Sequence, residues 1–348
     1  MQTISNLIAY LKRHPGYIAR LIGDIFKLIW YKCTGKKILV ITTGSGGIGD
    51  YLWIRSYYPL IHQKRYKIVL IAMAHWRDIV EVFDGGDIDI IRYFESCLSP
   101  KKIETFFFKL FHCDVYLNFC KECISPFIKY KVQYTNTEDI NYNWFYEERN
   151  NYIFSDFFPL PEEFRHSIPV IEPATFLKTK LMFPYVVLTE GGNTHGKLND
   201  LQLKNIIQHL LSLNYQVLFN GNIKRLNQLL NNEELKKVID GYQFSFPLYG
   251  YLIQHSSFVI TVNTSIYHFA LLLNKPCIII TPYEPRTVKI DQKNQIAVFN
   301  DLTDDRITSP QKHSDEEKQL LLNNTNINRI INAIDTIHNT KKIIHPVE

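Results

Sequence analysis

The stretch Thr43-Gly44-Ser45-Gly46-Gly47-Ile48-Gly49-Asp50 directly follows the apolar run Ile38-Leu39-Val40-Ile41. A buried strand that runs into a glycine turn brings backbone N–H groups close to a ligand, because residues without a Cβ permit that approach. The glycines match the G-x-G-x-x-G spacing of dinucleotide-binding turns, but the run ends in an acid, Asp50. The stretch therefore predicts either a dinucleotide site or a catalytic carboxylate beside a glycine-lined surface.

Apolar strand patterns alternate with helical patterns on both sides of this turn and again in the second half of the chain. The predicted strands cover residues 38–41, 67–74, 87–93, 114–119, 185–189, 216–219, 258–262 and 277–281. The predicted helices between them cover residues 51–61, 75–83, 100–111, 200–213, 223–240 and 266–273. Prolines between residues 159 and 173 separate the two halves. The alternation predicts an α/β fold with two Rossmann-like domains, each built on a parallel sheet covered on both faces.

We therefore divide the 348-residue chain into four parts. The N-terminal domain covers residues 36–165 and the C-terminal domain covers residues 178–312. An arm of residues 1–35 precedes them, and a helical tail of residues 313–348 follows, with apolar residues at helical spacing that predict packing on one of the domains.

The arm carries the basic charge of the protein. Residues 1–37 hold seven Lys and Arg residues against Asp24, a balance of +6, whereas the whole chain is +5. Apolar residues recur at mostly helical spacing, with a break at Pro15 and with Trp30 and Tyr31 near the end. Charged residues interrupt the run too often for a membrane span or a signal peptide. Two alternatives stay open: an amphipathic helix on an anionic membrane surface, or a helix packed on the first domain.

The six cysteines and the absence of a signal peptide indicate a cytoplasmic protein with reduced thiols. Cys120-x-x-Cys123, with His112 and Cys113 upstream, lacks the second well-spaced pair of a zinc site, so we expect no metal. We also expect no nucleic-acid partner.

The dinucleotide hypothesis requires an acidic residue at the end of the second strand, where it would bind the ribose hydroxyls. That strand end reads Ile71-Ala72-Met73-Ala74-His75, without an acid. The alternative is that Asp50 is a general base, which accepts a proton from an attacking hydroxyl. An acid at this position can also serve only the N-terminus of the following helix.

A second polar turn lies in the C-terminal half, where Val259-Ile260-Thr261-Val262 leads into Asn263-Thr264-Ser265-Ile266-Tyr267-His268. A strand, a polar turn and a helix start expose free N–H groups, and with the hydroxyls of Thr264 and Ser265 facing outward they would suit a diphosphate. His268 could bind a phosphate or be a core histidine. Lys197 supplies a positive charge near the same phosphate or is a solvated loop lysine. Glu190, Asn193 and Thr194, in the loop before it, are candidate ligands for a sugar or ribose.

Three short patches resemble glycosyltransferase family 9, the heptosyltransferases of lipopolysaccharide core synthesis. The patches are Gly49-Asp50, the loop from Thr189 through Lys197 into Asp200, and Val262 to His268 followed by Ala270 and Asn274-Lys275-Pro276. The resemblance implies a GT-B fold with the active site in a cleft between the domains. It also implies an inverting transfer without cofactor, with Asp50 as the base and with Lys197, Thr264, Ser265 and His268 binding the donor's nucleotide and phosphates.

On this interpretation Gly46, Gly47 and Gly49 line the acceptor side. The implied partners are a nucleotide-sugar, with an ADP-sugar favoured, and a lipid-linked or glycan acceptor at the cytoplasmic face of the inner membrane. Asn263 stands where the family motif has aspartate and Ser265 where it has glycine, which leaves the donor sugar open. The alternatives are a non-catalytic sugar- or nucleotide-binding member and a nicotinamide-dependent Rossmann enzyme.

Overall fold

The computed structural model describes residues 16–43, 48–83, 86–94, 113–118, 131–133, 161, 167–169, 184–192, 196–244, 246–281, 294–299 and 314–344. The chain divides into two compact units. Unit 1 comprises Met1–Ile140 with Asn150–Phe164, and unit 2 comprises Asn141–Arg149 with Arg165–Glu348.

Unit 1 is built on a parallel sheet with the strand order β3-β2-β1-β4-β5. Its strands are β1 (Lys37–Thr43), β2 (Tyr66–Met73), β3 (Ile90–Phe94), β4 (Val115–Asn118) and β5 (Lys131–Gln133). Its described helices are α1 (Gly16–Cys33), α2 (Ile48–Arg55), α3 (Tyr58–Gln63) and α4 (Arg77–Phe83). The central strands are buried along their length because β-branched and aliphatic residues face both covered sides of the sheet.

Unit 2 repeats the architecture with the order β10-β9-β6-β11-β12-β13, again all parallel. The strands are β6 (Tyr185–Thr189), β9 (Gln216–Asn220), β10 (Val238–Asp240), β11 (Val259–Val262), β12 (Cys277–Thr281) and β13 (Gln295–Phe299), and a small hairpin pairs β7 (Gly191–Gly192) with β8 (Gly196–Lys197). The helices are α5 (Asp200–Ser212), α6 (Ile223–Leu229), α7 (Asn232–Leu235), α8 (Phe246–His255), α9 (Ser265–Leu272), α10 (Asp315–Asn323) and α11 (Ile327–Ile344). The predicted pair of Rossmann-like units is confirmed.

Several local predictions need correction. Residues 51–61 form two helices, α2 and α3, because Pro59 in the first turn of α3 has no N–H to continue the preceding helix. The predicted helix over residues 223–240 is α6, α7 and the edge strand β10, since the Asn231 side chain caps a new helix with Glu234 in a capping box. Helix α8 and strand β13 were not predicted. The predicted helix at residues 100–111 lies outside the described residues.

Helix α1 packs on the sheet of unit 1, which is one of the two alternatives for the arm. Leu28 and Tyr31 are buried against residues of β1, β2 and β3. Lys27 donates to the carbonyl oxygen of Asp89 (2.7 Å), and Lys32 pairs with Asp114 (2.8 Å). None of the helices in the described ranges has the length and hydropathy needed to cross a bilayer.

The tail helices pack on unit 2, as the sequence predicts. Leu322 from α10 and Ile330, Ile334 and Ile337 from α11 belong to the same buried apolar cluster as the strands of that unit. Residues 313 and 345–348 of the predicted tail lie outside the described residues.

Candidate functional site

The turn after β1 holds the predicted base. Residues 44–47, which include Gly46 and Gly47, lie outside the described residues. Helix α2 begins at Ile48, and Asp50 is its third residue. Gly49 is buried. Asp50 therefore belongs to the first helical turn at the carboxyl end of β1, where unpaired N–H groups favour negative charge. Its role as a base stays a prediction.

The hairpin of β7 and β8 projects from the carboxyl end of β6. Gly191 pairs with Lys197 and Gly192 with Gly196. A Cβ on Gly191 would lie 2.6 Å from the Gly196 carbonyl oxygen and the Lys197 Cα, so the two chains approach too closely for any other residue. The Lys197 side chain is exposed, as a ligand-binding lysine must be. Asn193 and Thr194 lie outside the described residues.

Glu190, which directly precedes the hairpin, is only 5% exposed. Its carboxylate accepts hydrogen bonds from the Asn222 backbone N–H (2.6 Å) and from Arg225 Nη1 (2.6 Å). Arg225 Nε also donates to Asp200 (2.5 Å). The predicted role of Glu190 as a sugar ligand stays open, but in this structure its carboxylate ties the carboxyl ends of β6 and β9 together.

The turn between β11 and α9 contains the predicted phosphate ligands. Thr264 is the N-cap of α9, and its hydroxyl accepts from the Ile266 N–H (3.3 Å) and lies 3.0 Å from the Thr261 hydroxyl. We expected this hydroxyl to face outward, but here it serves the helix end, as threonine commonly does at an N-cap. Asn263 and Ser265 are half-buried.

His268, on the first turn of α9, is 6% exposed and lies beside the ring of Tyr267, with 5.2 Å between ring centroids. Its burial resembles that of a core histidine.

The topology of unit 2 brings these residues to one edge. Strand β11 pairs with β6, with Ile260 opposite Leu188, and β7 also lies close to β11. The hairpin with Lys197 and the turn with Thr264 and Ser265 therefore share the carboxyl edge of the sheet. Ligands of open α/β sheets bind at this edge.

Lys275, which belongs to the third motif, lies elsewhere. Its backbone N–H bonds to the Ala270 carbonyl at the end of α9, and β12 begins two residues later. It therefore lies at the amino edge of the sheet, opposite to Thr264. Burial lowers the pKa of its side chain.

Two residues of this edge were missed by the sequence analysis. Arg225 forms ion pairs with both Glu190 and Asp200, and Gln319 from the tail contacts the backbone of Lys197. For Arg225 the sequence offers one signal, the polar turn Asn220-Gly221-Asn222 after a buried strand. Gln319 had none, because it is distant in sequence and sits on a polar helix face.

Within the described ranges, no three His, Cys, Asp or Glu side chains form a group that could hold a metal ion. His112, Cys120 and Cys123 lie outside those ranges. Cys113 is buried, and desolvation, followed by the negative charge of Asp114, raises the pKa of its thiol to about 12.

The fold of this chain is the GT-B fold of glycosyltransferases. An E. coli ADP-heptose lipopolysaccharide heptosyltransferase II has a TM-score of 0.63 and 14% identity, over 88% of this chain and 99% of the other. A family 9 glycosyltransferase from Veillonella parvula has a TM-score of 0.61 and 12% identity, over 86% of this chain and 97% of the other. The E. coli heptosyltransferase WaaC, in a structure with ADP, has a TM-score of 0.52 and 13% identity, over 82% of this chain and 96% of the other.

The resemblance to glycosyltransferase family 9 is thus confirmed at the level of the fold. At these identities the amino-acid sequence itself carries little of the similarity. Neither a protein-family model nor a curated protein sequence matches the chain significantly.

Proposed function

We propose that the protein is an inverting glycosyltransferase that moves a sugar, heptose or a related one, from a nucleotide-sugar to a hydroxyl of a lipopolysaccharide-type or other surface glycan. The observation that carries the proposal is the shared edge of β6 and β11, where an exposed lysine and a helix start lie together in a GT-B fold. An ADP-linked donor is favoured, because structures of this fold have been solved with ADP and with an ADP-heptose analogue.

In the proposed reaction, the Asp50 carboxylate takes the proton of the acceptor hydroxyl as that oxygen attacks the anomeric carbon. The new C–O bond forms on the face opposite to the diphosphate, and the old bond breaks with its electron pair leaving on the diphosphate. The configuration at the anomeric carbon is therefore inverted. Asp50 ends protonated and the nucleoside diphosphate departs.

Stabilisation of the leaving group falls to the edge of unit 2. Lys197 brings a full positive charge, and the N–H groups at the start of α9, with Ser265 and His268, add hydrogen bonds. We propose that this set makes a metal ion unnecessary. Asn263 and Ser265, which differ from the family motif, are expected to contact the donor and to bear on which sugar is accepted.

The test is a panel of ADP-, UDP-, GDP- and dTDP-linked sugars, with release of nucleoside diphosphate as the readout. We expect turnover or slow hydrolysis with an ADP-sugar. Asp50→Asn should lower turnover by about 10²- to 10⁴-fold, because it removes a general base. Asp78→Asn is the matched control, since Asp78 is an exposed acid in the first turn of α4.

Three results would contradict the proposal. Equal turnover by Asp50→Asn and the control would show that Asp50 is not the general base. Donor binding without turnover by the wild type would indicate a non-catalytic binding protein. Tight binding of NAD without binding of any nucleotide-sugar would indicate a nicotinamide-dependent enzyme.

We further propose that the arm contacts an anionic membrane surface, where a lipid-linked acceptor would lie. One face of α1 is packed on the sheet, and the opposite face exposes a stripe of large apolar residues, from 48% to 67% exposed. They are Ile22, Phe26, Ile29 and Trp30. The basic charge of residues 1–37 complements anionic headgroups. An apolar stripe ending in tryptophan suits the membrane interface.

Vesicle flotation tests this contact. Because Leu28 and Tyr31 belong to the core, the stripe is altered without deleting the helix, by Phe26→Ser with Trp30→Ser. We expect the wild type to bind vesicles rich in anionic lipid and the double variant to bind several-fold less. Equal vesicle binding by both proteins would overturn the proposed contact through α1. Binding that is lost only when residues 1–15 are removed would assign the membrane contact to that segment.

A further inference from the structure

The tail helix α10 reaches back to the lysine of the candidate site. The Lys197 backbone N–H donates to Oε1 of Gln319 (2.8 Å), and Nε2 of Gln319 donates to the Lys197 carbonyl oxygen (2.6 Å). The carboxamide thus pairs with both backbone groups of one residue, as the peptide group of a neighbouring strand would. Both partners lie 122 positions apart in sequence.

The contact with Gln319 requires a glycine at position 196 of the hairpin. Gly196 has φ +82°, and a Cβ there would lie 3.2 Å from Oε1 of Gln319 and 3.4 Å from its Cα. A side chain at this position would therefore strain the backbone and also push the tail helix away. The glycine and the glutamine fit each other.

The helix that carries Gln319 is itself fixed. Nε2 of Gln319 also donates to Oδ1 of Asn323 one turn later (2.9 Å), which orients the carboxamide. Leu322 is fully buried in the unit 2 core. The buried Gln202 side chain donates to the carbonyl oxygens of Leu322 (3.0 Å) and Thr325 (3.2 Å), which fixes the end of α10.

We propose that Gln319 is a positioning residue for Lys197 and that the C-terminal tail is thereby part of the donor-binding site. The inference rests on the proposed role of Lys197. A lysine side chain loses much rotational freedom when it binds a ligand, and a mobile backbone would add to that loss. Gln319 holds the backbone, so that only the side chain must be ordered when the diphosphate binds.

The test measures ADP affinity by calorimetry in four variants. Lys197→Ala should weaken binding by about tenfold or more, because a charged partner is lost. Gln319→Leu should weaken it by about fivefold to tenfold through two lost hydrogen bonds. In the Lys197→Ala background, Gln319→Leu should have little further effect. Gln208→Leu, which removes a hydrogen bond from Gln208 to Glu234 on another face of unit 2, is the matched control.

Amide hydrogen exchange of residues 190–198 adds a readout of position, which Gln319→Leu should accelerate and Gln208→Leu should not. If Lys197→Ala weakens ADP binding but Gln319→Leu binds ADP as the control does, the role of Gln319 is overturned and the proposed function stands. An equal Gln319→Leu effect with or without Lys197 also overturns it. If Lys197→Ala leaves affinity unchanged, the donor role of Lys197 falls, and this inference falls with it.

Discussion

Two buried charged side chains, one in each unit, pair with an opposite charge at opposite edges of their sheets. In unit 1 the buried member is a cation: Arg55, 1% exposed, donates to the Phe83 carbonyl oxygen and pairs with Asp87, just before β3 begins. In unit 2 it is an anion: Glu190, at the carboxyl end of β6, pairs with Arg225.

The difference separates stability from ligand binding. The pair in unit 1 joins segments that lead into β2 and β3, at the amino edge, where open α/β sheets do not bind ligands. The pair in unit 2 joins the carboxyl ends of β6 and β9, next to the hairpin with Lys197. We therefore expect the first pair to act on folding alone and the second on folding and on the proposed donor site.

Breaking the unit 1 pair should have the largest effect on stability. Asp87→Ala leaves the buried Arg55 guanidinium without its carboxylate, which should lower the free energy of unfolding by about 4 kcal/mol. Urea denaturation measures this, with Asp78→Ala, at an exposed acid of α4, as the control. ADP affinity of the folded variant should equal that of the wild type, and a weaker affinity would contradict the separation.

Breaking the unit 2 pair should cost slightly less stability. Arg225→Met leaves the Glu190 carboxylate with the Asn222 N–H, and we expect a loss of about 3 kcal/mol. Unlike Asp87→Ala, it should also weaken ADP binding, because the ends of β6 and β9 are no longer tied. Adding Glu190→Gln should restore part of the stability, since a neutral amide costs less to bury than an unpaired carboxylate. Unchanged ADP affinity would make this pair purely structural.

The sequence predicts the sheets better than it predicts these pairs. Strands such as β1, β6, β11 and β12 are continuous apolar runs, and burial on both faces dictates that pattern whatever lies beside them. The alternation of strands and helices then suffices for two Rossmann-like units. The edge strand β10 lacks such a run, because its three residues, Val-Ile-Asp, are only partly buried.

The candidate site is predictable only where a turn follows a recognisable strand. Lys197, Thr264 and Ser265 satisfy that condition, and parallel strands place their turns on one edge. Arg225 and Gln319 do not, because a hydrogen bond between segments 122 residues apart leaves no local pattern. The inward direction of the Thr264 hydroxyl likewise depends on Thr261, a strand residue three positions earlier.

A smaller effect is expected at the glycine beside the unit 2 pair. A Cβ on Gly221 would overlap the Glu190 carboxylate and the Phe219 ring, so Gly221→Ala should lower the free energy of unfolding by about 2 kcal/mol. Gly23→Ala is the matched control, because nothing lies within 4 Å of a Cβ at that position in α1. There the change should stabilise the helix by about 0.5–1 kcal/mol. Both free energies come from urea denaturation, and equal values would mean that Glu190 moves aside freely.

The smallest effect concerns a neutral group at the amino edge of unit 1. The Tyr31 hydroxyl donates to Oδ1 of Asp89 (3.2 Å), and burial, then the Asp89 charge and this hydrogen bond, raise the pKa of the phenol to about 12. The ordinary pKa of tyrosine is about 10. Since the folded state holds the proton more tightly, this contact stabilises the protein fully below pH 10, and the contribution is lost as pH rises through 12.

Tyr31→Phe should therefore cost about 1 kcal/mol of unfolding free energy at pH 8, and the difference from wild type should shrink between pH 10 and 12. The phenolate absorbance of the wild type minus that of the variant should titrate near 12. ADP affinity at pH 8 should be equal in both, as for the Asp87 variant at the same edge. A difference spectrum that titrates near 10 would show that the hydroxyl is solvated, so that only the packing of α1, and not its contact with Asp89, anchors the arm on unit 1.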